Sequence, residues 1–182
     1  MYKKLIVVFS LFFLVFSSAS IAHHVSDHKV DAIVLSKGHA RIIISVSGSS
    51  IEAELYTPTV NVLGFVGKPS NDVEKAEFDA ASTWFSQASN VFTFAEAAQC
   101  VAIVAEVNTS NIDGQAKADN AKLAEFDVYY VWECKNPAAL NQIEVNLFEQ
   151  YPTHKEIFSK RQGVGEIKRD KLVATKNSIG LK

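Results

Sequence analysis

Residues 40–56 read ARIIISVSGSSIEAELY, and this stretch decides the fold. Ile42, Ile44 and Val46 alternate with Arg41, Ile43, Ser45 and Ser47, a period of two that belongs to a strand. Gly48-Ser49-Ser50 is turn material, and beyond it Ile51, Ala53 and Leu55 alternate with Glu52, Glu54 and Tyr56. Two alternating runs about a short Gly-Ser turn predict a hairpin with one buried and one wet face. Pro58 ends it, because proline cannot donate to a sheet ladder.

Toward the C-terminus, Val60 to Phe65 is a short apolar run broken by Gly67, Pro69 and Ser70. A helix is predicted over 72–88, with Asn71 as its cap and Glu74 three residues on. Phe78, Ala81, Trp84, Phe85 and Ala88 form its apolar stripe, which reads as core. Val101, Ile103, Ala105 and Val107 alternate after Cys100, and Phe126, Val128, Tyr130 and Trp132 alternate before Cys134, so two neighbouring strands are expected. The polar segment 108–124, which holds Gly114, predicts an exposed loop between them. Asn136-Pro137 opens a short helical turn, Ile143, Val145 and Leu147 predict another strand, and 157–162, 166–169 and 172–175 predict weaker ones. The expected fold is a single α+β domain, antiparallel and strand-rich, with one main helix and one disulfide.

Toward the N-terminus, Lys3 and Lys4 precede an apolar run from Leu5 to Phe16, then small residues as far as Ala22. Basic head, apolar core and small-residue exit predict a signal peptide over 1–22, and the run is too short for a membrane span. The expected organisation is signal peptide 1–22, a polar histidine-containing segment 23–37, and the folded domain 38–182. Cleavage after Ala22 leaves His23 at the new N-terminus, and no membrane association is expected afterwards.

Two cysteines in an exported chain predict a disulfide, Cys100 to Cys134, over the alternative of a metal or redox pair. Their separation is far from C-x-x-C, and no histidine lies close to either. Charge is lopsided. Eight Lys and Arg face 17 Asp and Glu from 23 to 154, and eight face three from 155 to 182. Within one fold this reads as internal complementarity or a solvated basic edge. The basic tail has Phe158 as its one aromatic residue, so no nucleic-acid partner is expected.

The histidines are 23, 24, 28, 39 and 154. His23, His24, Asp27 and His28 crowd the mature N-terminus, and imidazole with carboxylate suits zinc or copper. The plain alternative is a polar tail with incidental histidines. His39 opens the first predicted strand and His154 follows Pro152 in a loop. No G-x-S-x-G, H-E-x-x-H, P-loop or G-x-G-x-x-G motif occurs, so no enzyme is expected and a hydrolase is the least favoured reading.

Several stretches carry a family resemblance: Gly38-His39-Ala40, Leu55-Tyr56-Thr57-Pro58, Asn61-Val62-Leu63-Gly64-Phe65, Cys134-Lys135-Asn136-Pro137-Ala138-Ala139-Leu140 and Leu147-Phe148-Glu149-Gln150-Tyr151-Pro152. In these the chain resembles the ZrgA-like family, from about 38 to 175. The resemblance implies a periplasmic accessory of a zinc import system with a histidine-rich mid-chain loop. The chain departs from it at the ligands. The family's His-x-His-Gly falls on Leu35, Ser36, Lys37 and Gly38, its Glu-His after Gly-Phe falls on Val66 and Gly67, and 108–124 has no histidine. The expectation is weak or altered zinc binding, with His23, His24, Asp27, His28 and His39 as the metal residues, or copper at the N-terminal cluster. The alternative is a metal-free envelope scaffold or partner-binding module.

Overall fold

The computed structural model describes residues 35–113, 123–163 and 166–181. The chain divides into the units Met1–Ala32 and Ile33–Lys182, and every described residue lies in the second. The expected signal peptide lies outside the described residues.

The predicted hairpin is present as β1 (His39–Ser47) and β2 (Ser50–Pro58), paired from Arg41–Tyr56 to Ser47–Ser50. Pro58 leads into α1 (Thr59–Leu63), which closes on Gly64 in the left-handed region. Then come α2 (Asp72–Ser86), α3 (Ala88–Val91), β3 (Phe92–Phe94), β4 (Cys100–Ser110), β5 (Glu125–Cys134), β6 (Gln142–Val145), α4 (Leu147–Gln150), β7 (Glu156–Gln162), β8 (Lys168–Leu172) and β9 (Ser178–Gly180). Six strands form one sheet in the order β4-β5-β2-β1-β7-β8, and β3-β6-β9 form a small second sheet. The fold is strand-rich α+β, as the alternation requires. Among the described residues no helix is long and apolar enough to cross a membrane.

The inner face of the large sheet is the core. Ile42, Ile44, Ile51, Ala53, Leu55, Phe126, Val128, Tyr130 and Trp132 are buried there. Helix α2 covers it with Ala81 and Phe85, and Phe78 stacks on Phe126 at 5.4 Å. The Tyr130 hydroxyl donates to the Phe85 carbonyl at 2.6 Å, so a buried phenol satisfies the end of the helix. The small sheet closes the same core through Phe92 and Phe94, whose rings lie 5.5 and 5.0 Å from Trp132. Cys100 and Cys134 face each other across β4 and β5 and are joined by a disulfide.

The structure corrects the sequence reading at several points. The main helix stops at Ser86, because the Asn90 side chain donates to the Trp84 carbonyl and Gln87 turns extended; Ala88 is buried, but in α3. A bulge between Ala102 and Val104 breaks the alternation of β4, placing Val101 and Val104 on the outer face and Ala105 and Val107 on the inner one. Strand β4 runs to Ser110, so Asn108–Ser110 are strand and not loop, while 114–122 lie outside the described residues. Leu147 opens α4 instead of continuing β6. The strand expected at 172–175 is absent, since Leu172 ends β8 and Val173 pairs with Lys176 across a turn. The sheet is not wholly antiparallel, because β1 and β7 run parallel from His39–Glu156 to Ser45–Gln162.

Register also explains the charge imbalance. On the outer face, β2 and its neighbours β5 and β4 carry Glu52, Glu54, Asp127, Glu133 and Glu106. On the other half, β1, β7 and β8 carry Arg41, Lys160, Arg169 and Lys171. The Arg41 guanidinium lies 4.4 Å from the centre of the Tyr56 ring, at the seam between the two halves.

Candidate functional site

Residues 134–140 start from the end of the large sheet beside the turn between β1 and β2, whereas the opposite end gathers Gly38-His39-Ala40, 55–58 and 61–65. There β1 begins beside the start of β7 (His39–Glu156), and the end of β2 meets the start of β5 and the end of β4 (Pro58–Glu125–Ser110). Helix α1 sits at this end and fastens it. Asn61, 2% exposed, accepts from the Gly38 N–H at 2.7 Å and donates to the His39 carbonyl at 2.8 Å. Gly38 has φ +90°, a conformation that favours glycine, and its carbonyl accepts from the Lys155 N–H at 2.7 Å. The turn before β1 and the loop before β7 are thereby held together.

His39 is about one-third exposed on this end. Its Nδ1 lies 2.6 Å from the Ser36 hydroxyl, its Nε2 lies 3.9 Å from a Glu156 carboxylate oxygen, and its ring packs 5.6 Å from Phe158. The other Glu156 oxygen accepts from Lys171 at 3.0 Å. The donors beside His39 are therefore its own imidazole and the Glu156 carboxylate, which already has a cation.

The positions where the resemblance implies further ligands are filled differently. Leu35 is buried, Lys37 is exposed, and Val66 is 47% exposed. Lys68 and Asp113, beside Gly67 and at the edge of the mid-chain segment, pair at 3.8 Å. Zinc takes roughly three or four N, S or O donors. Among the described residues no group of three or more His, Cys, Asp or Glu is placed to hold a metal ion. The described sheet end is half a site at most, and Lys171 and Lys68 already pair with Glu156 and Asp113. His23, His24, Asp27 and His28 lie outside the described residues.

His154 is 3% exposed and has no ring nitrogen to spare. Its Nδ1 lies 2.8 Å from the Tyr151 carbonyl and its Nε2 2.8 Å from the Thr57 hydroxyl. Since a carbonyl only accepts, Nδ1 carries the proton and Nε2 accepts from Thr57. Burial lowers its pKa to about 4. His154 is a neutral structural histidine that braces the loop delivering Glu156. Glu156 itself escaped the sequence reading, because only the parallel pairing of β1 with β7 brings it to His39.

A family model described as ZrgA family zinc uptake protein matches residues 35–179. No curated protein matches the chain at a significant level.

Proposed function

The chain belongs to the ZrgA family of zinc uptake proteins, and we propose that it serves as a periplasmic accessory of a zinc import system with weakened or relocated zinc binding. The observation that carries the reading is the match over nearly the whole domain, set against described residues in which no group of three or more His, Cys, Asp or Glu is placed to hold a metal ion. In this reading zinc is cargo, and the ligands missing from the domain are replaced by His23, His24, Asp27 and His28 of the N-terminal segment. Copper is the competing ion at the N-terminal cluster, where a free amine and an imidazole chelate together. The signal-peptide pattern of 1–22 supports export. The protein acts by binding and not by catalysis, a reading supported by the absence of any recognised catalytic motif in the sequence.

A second reading is favoured by the lysines. Lys171 on Glu156 and Lys68 on Asp113 answer two carboxylates at the sheet end, as expected of a scaffold that binds partners without metal.

Calorimetric titration of zinc and copper into the chain purified after export, with its N-terminus fixed by intact mass, separates the two. One-to-one binding that is lost on deleting 23–28 supports the relocated site. No binding near neutral pH overturns it and leaves the metal-free module.

A further inference from the structure

The two outer edges of the large sheet are built differently. Strand β8 reads KRDKL, four charges in five residues, an edge protected against pairing. Strand β4 reads CVAIVAEVNTS, with Glu106 its one charge in eleven residues. Among the described residues no strand pairs with the outer side of β4. Val101 and Ile103 are 60% and 59% exposed, and Ala102 and Ala105 are exposed on the inner face. Beside the first half of β4 lies a groove of about 540 Å³ whose wall is mainly apolar, with Phe92, Phe94, Ala102 and Trp132, and which has Glu96 and Gln99 among its polar residues.

The outer face behind this edge has one sign of charge. Strands β2, β5 and β4 contain Glu52, Glu54, Glu106, Glu125, Asp127 and Glu133 and no lysine or arginine. Tyr129 feels this field: burial first, then the charges of Glu52, Glu54 and Glu106, push its hydroxyl up to about 12. A strand added to β4 points alternate side chains to the two faces. One set meets the apolar groove and the other meets the carboxylates. A second copy of this chain would bring the same negative charge to the edge, which disfavours self-pairing.

We propose that β4 is a docking edge for an extended segment of a partner protein whose residues alternate apolar and basic. The apolar residues seat over Ala102 and the Phe94–Trp132 groove, and the basic ones pair with Glu106 and Glu133. This surface lies on the far edge strand from β1 and β7 and needs no metal, so it stands apart from the zinc reading.

The test is fluorescence anisotropy with the full chain purified after export and three labelled peptides of about eight residues, a common strand length. One alternates valine and lysine, one valine and glutamate, and one proline and lysine. The expected result is saturable binding of the valine–lysine peptide, weakened by salt, with hydrogen-exchange protection of residues 100–110. The other two peptides should bind about tenfold more weakly or worse, the order expected when two cross-strand pairs turn repulsive or the ladder is lost. The double variant Glu106→Lys, Glu133→Lys, checked as folded by near-UV circular dichroism, should prefer the valine–glutamate peptide. Equal binding of the proline–lysine peptide would reduce the effect to net charge and overturn the proposal. So would failure of the valine–lysine peptide to bind, or a dimer in the free chain with residues 100–110 already protected.

Discussion

Acidification should unfold this domain partly through His154. The imidazole is 3% exposed and neutral, held by Tyr151 and Thr57, with a folded-state pKa of about 4 against about 6.5 for a free histidine. The folded pKa is depressed, so between those values the unfolded chain binds a proton that the folded chain refuses. The stability that His154 contributes is full above pH 6.5 and drains as pH falls toward 4. At pH 4.5, about two units below the free value, the loss from this one group is roughly 2–3 kcal/mol at 1.36 kcal/mol per unit. His154→Gln keeps an acceptor for Thr57 and a donor for Tyr151 but cannot titrate. Urea unfolding at pH 7.5 and 4.5, followed by the fluorescence of Trp84, which packs 5.0 Å from Tyr151, reads both proteins. The wild type should lose more stability between the two pH values than the variant, by that amount. Carboxylates titrate alike in both and cancel. Equal losses would mean that His154 is protonated in the folded state or that its burial is relieved, and the reasoning fails.

Replacing Cys100 and Cys134 by serine should cost about 3–4 kcal/mol in urea unfolding, since the bond spans a sequence separation of 34, and reductant should bring the wild type to the same midpoint. Phe85→Ala should cost about 3–5 kcal/mol, because the ring is fully buried between Phe126, Trp84 and Tyr151. Gly163→Ala should destabilise by about 1–3 kcal/mol or more, measured as a fall in thermal midpoint, because φ is +109° and a Cβ would land on the Val46 backbone. Asn61→Leu leaves the Gly38 N–H and the His39 carbonyl without their partner, at about 1–3 kcal/mol for each, and exchange of the Gly38 amide should accelerate.

The long periodic segments were readable in the sequence. β1, β2, β5 and the body of α2 stand where alternation and helical spacing put them, and so does the disulfide. What escaped was short or non-local. β3 and β9 have three residues each, too few to show a period. The bulge in β4 inserts Ile103 without any residue type that announces it. The parallel contact of β1 with β7 depends on the whole intervening chain, and with it went the pairing of His39 with Glu156. The sequence reading did find His39, but it had no means of knowing that His154 is sealed in by Thr57 and Tyr151.

The parallel pairing of β1 with β7 has a consequence for how the molecule is made. Strand β1 finds β2 at once through a tight turn, but its other edge waits for residues 156–162, near the end of the chain. Until that stretch arrives, a growing chain carries a sticky flank rich in isoleucine at the middle of its future sheet. Contacts so distant in sequence form late and slowly. The nascent protein therefore has a window of vulnerability to aggregation, which shuts only when residues 156–162 have been delivered.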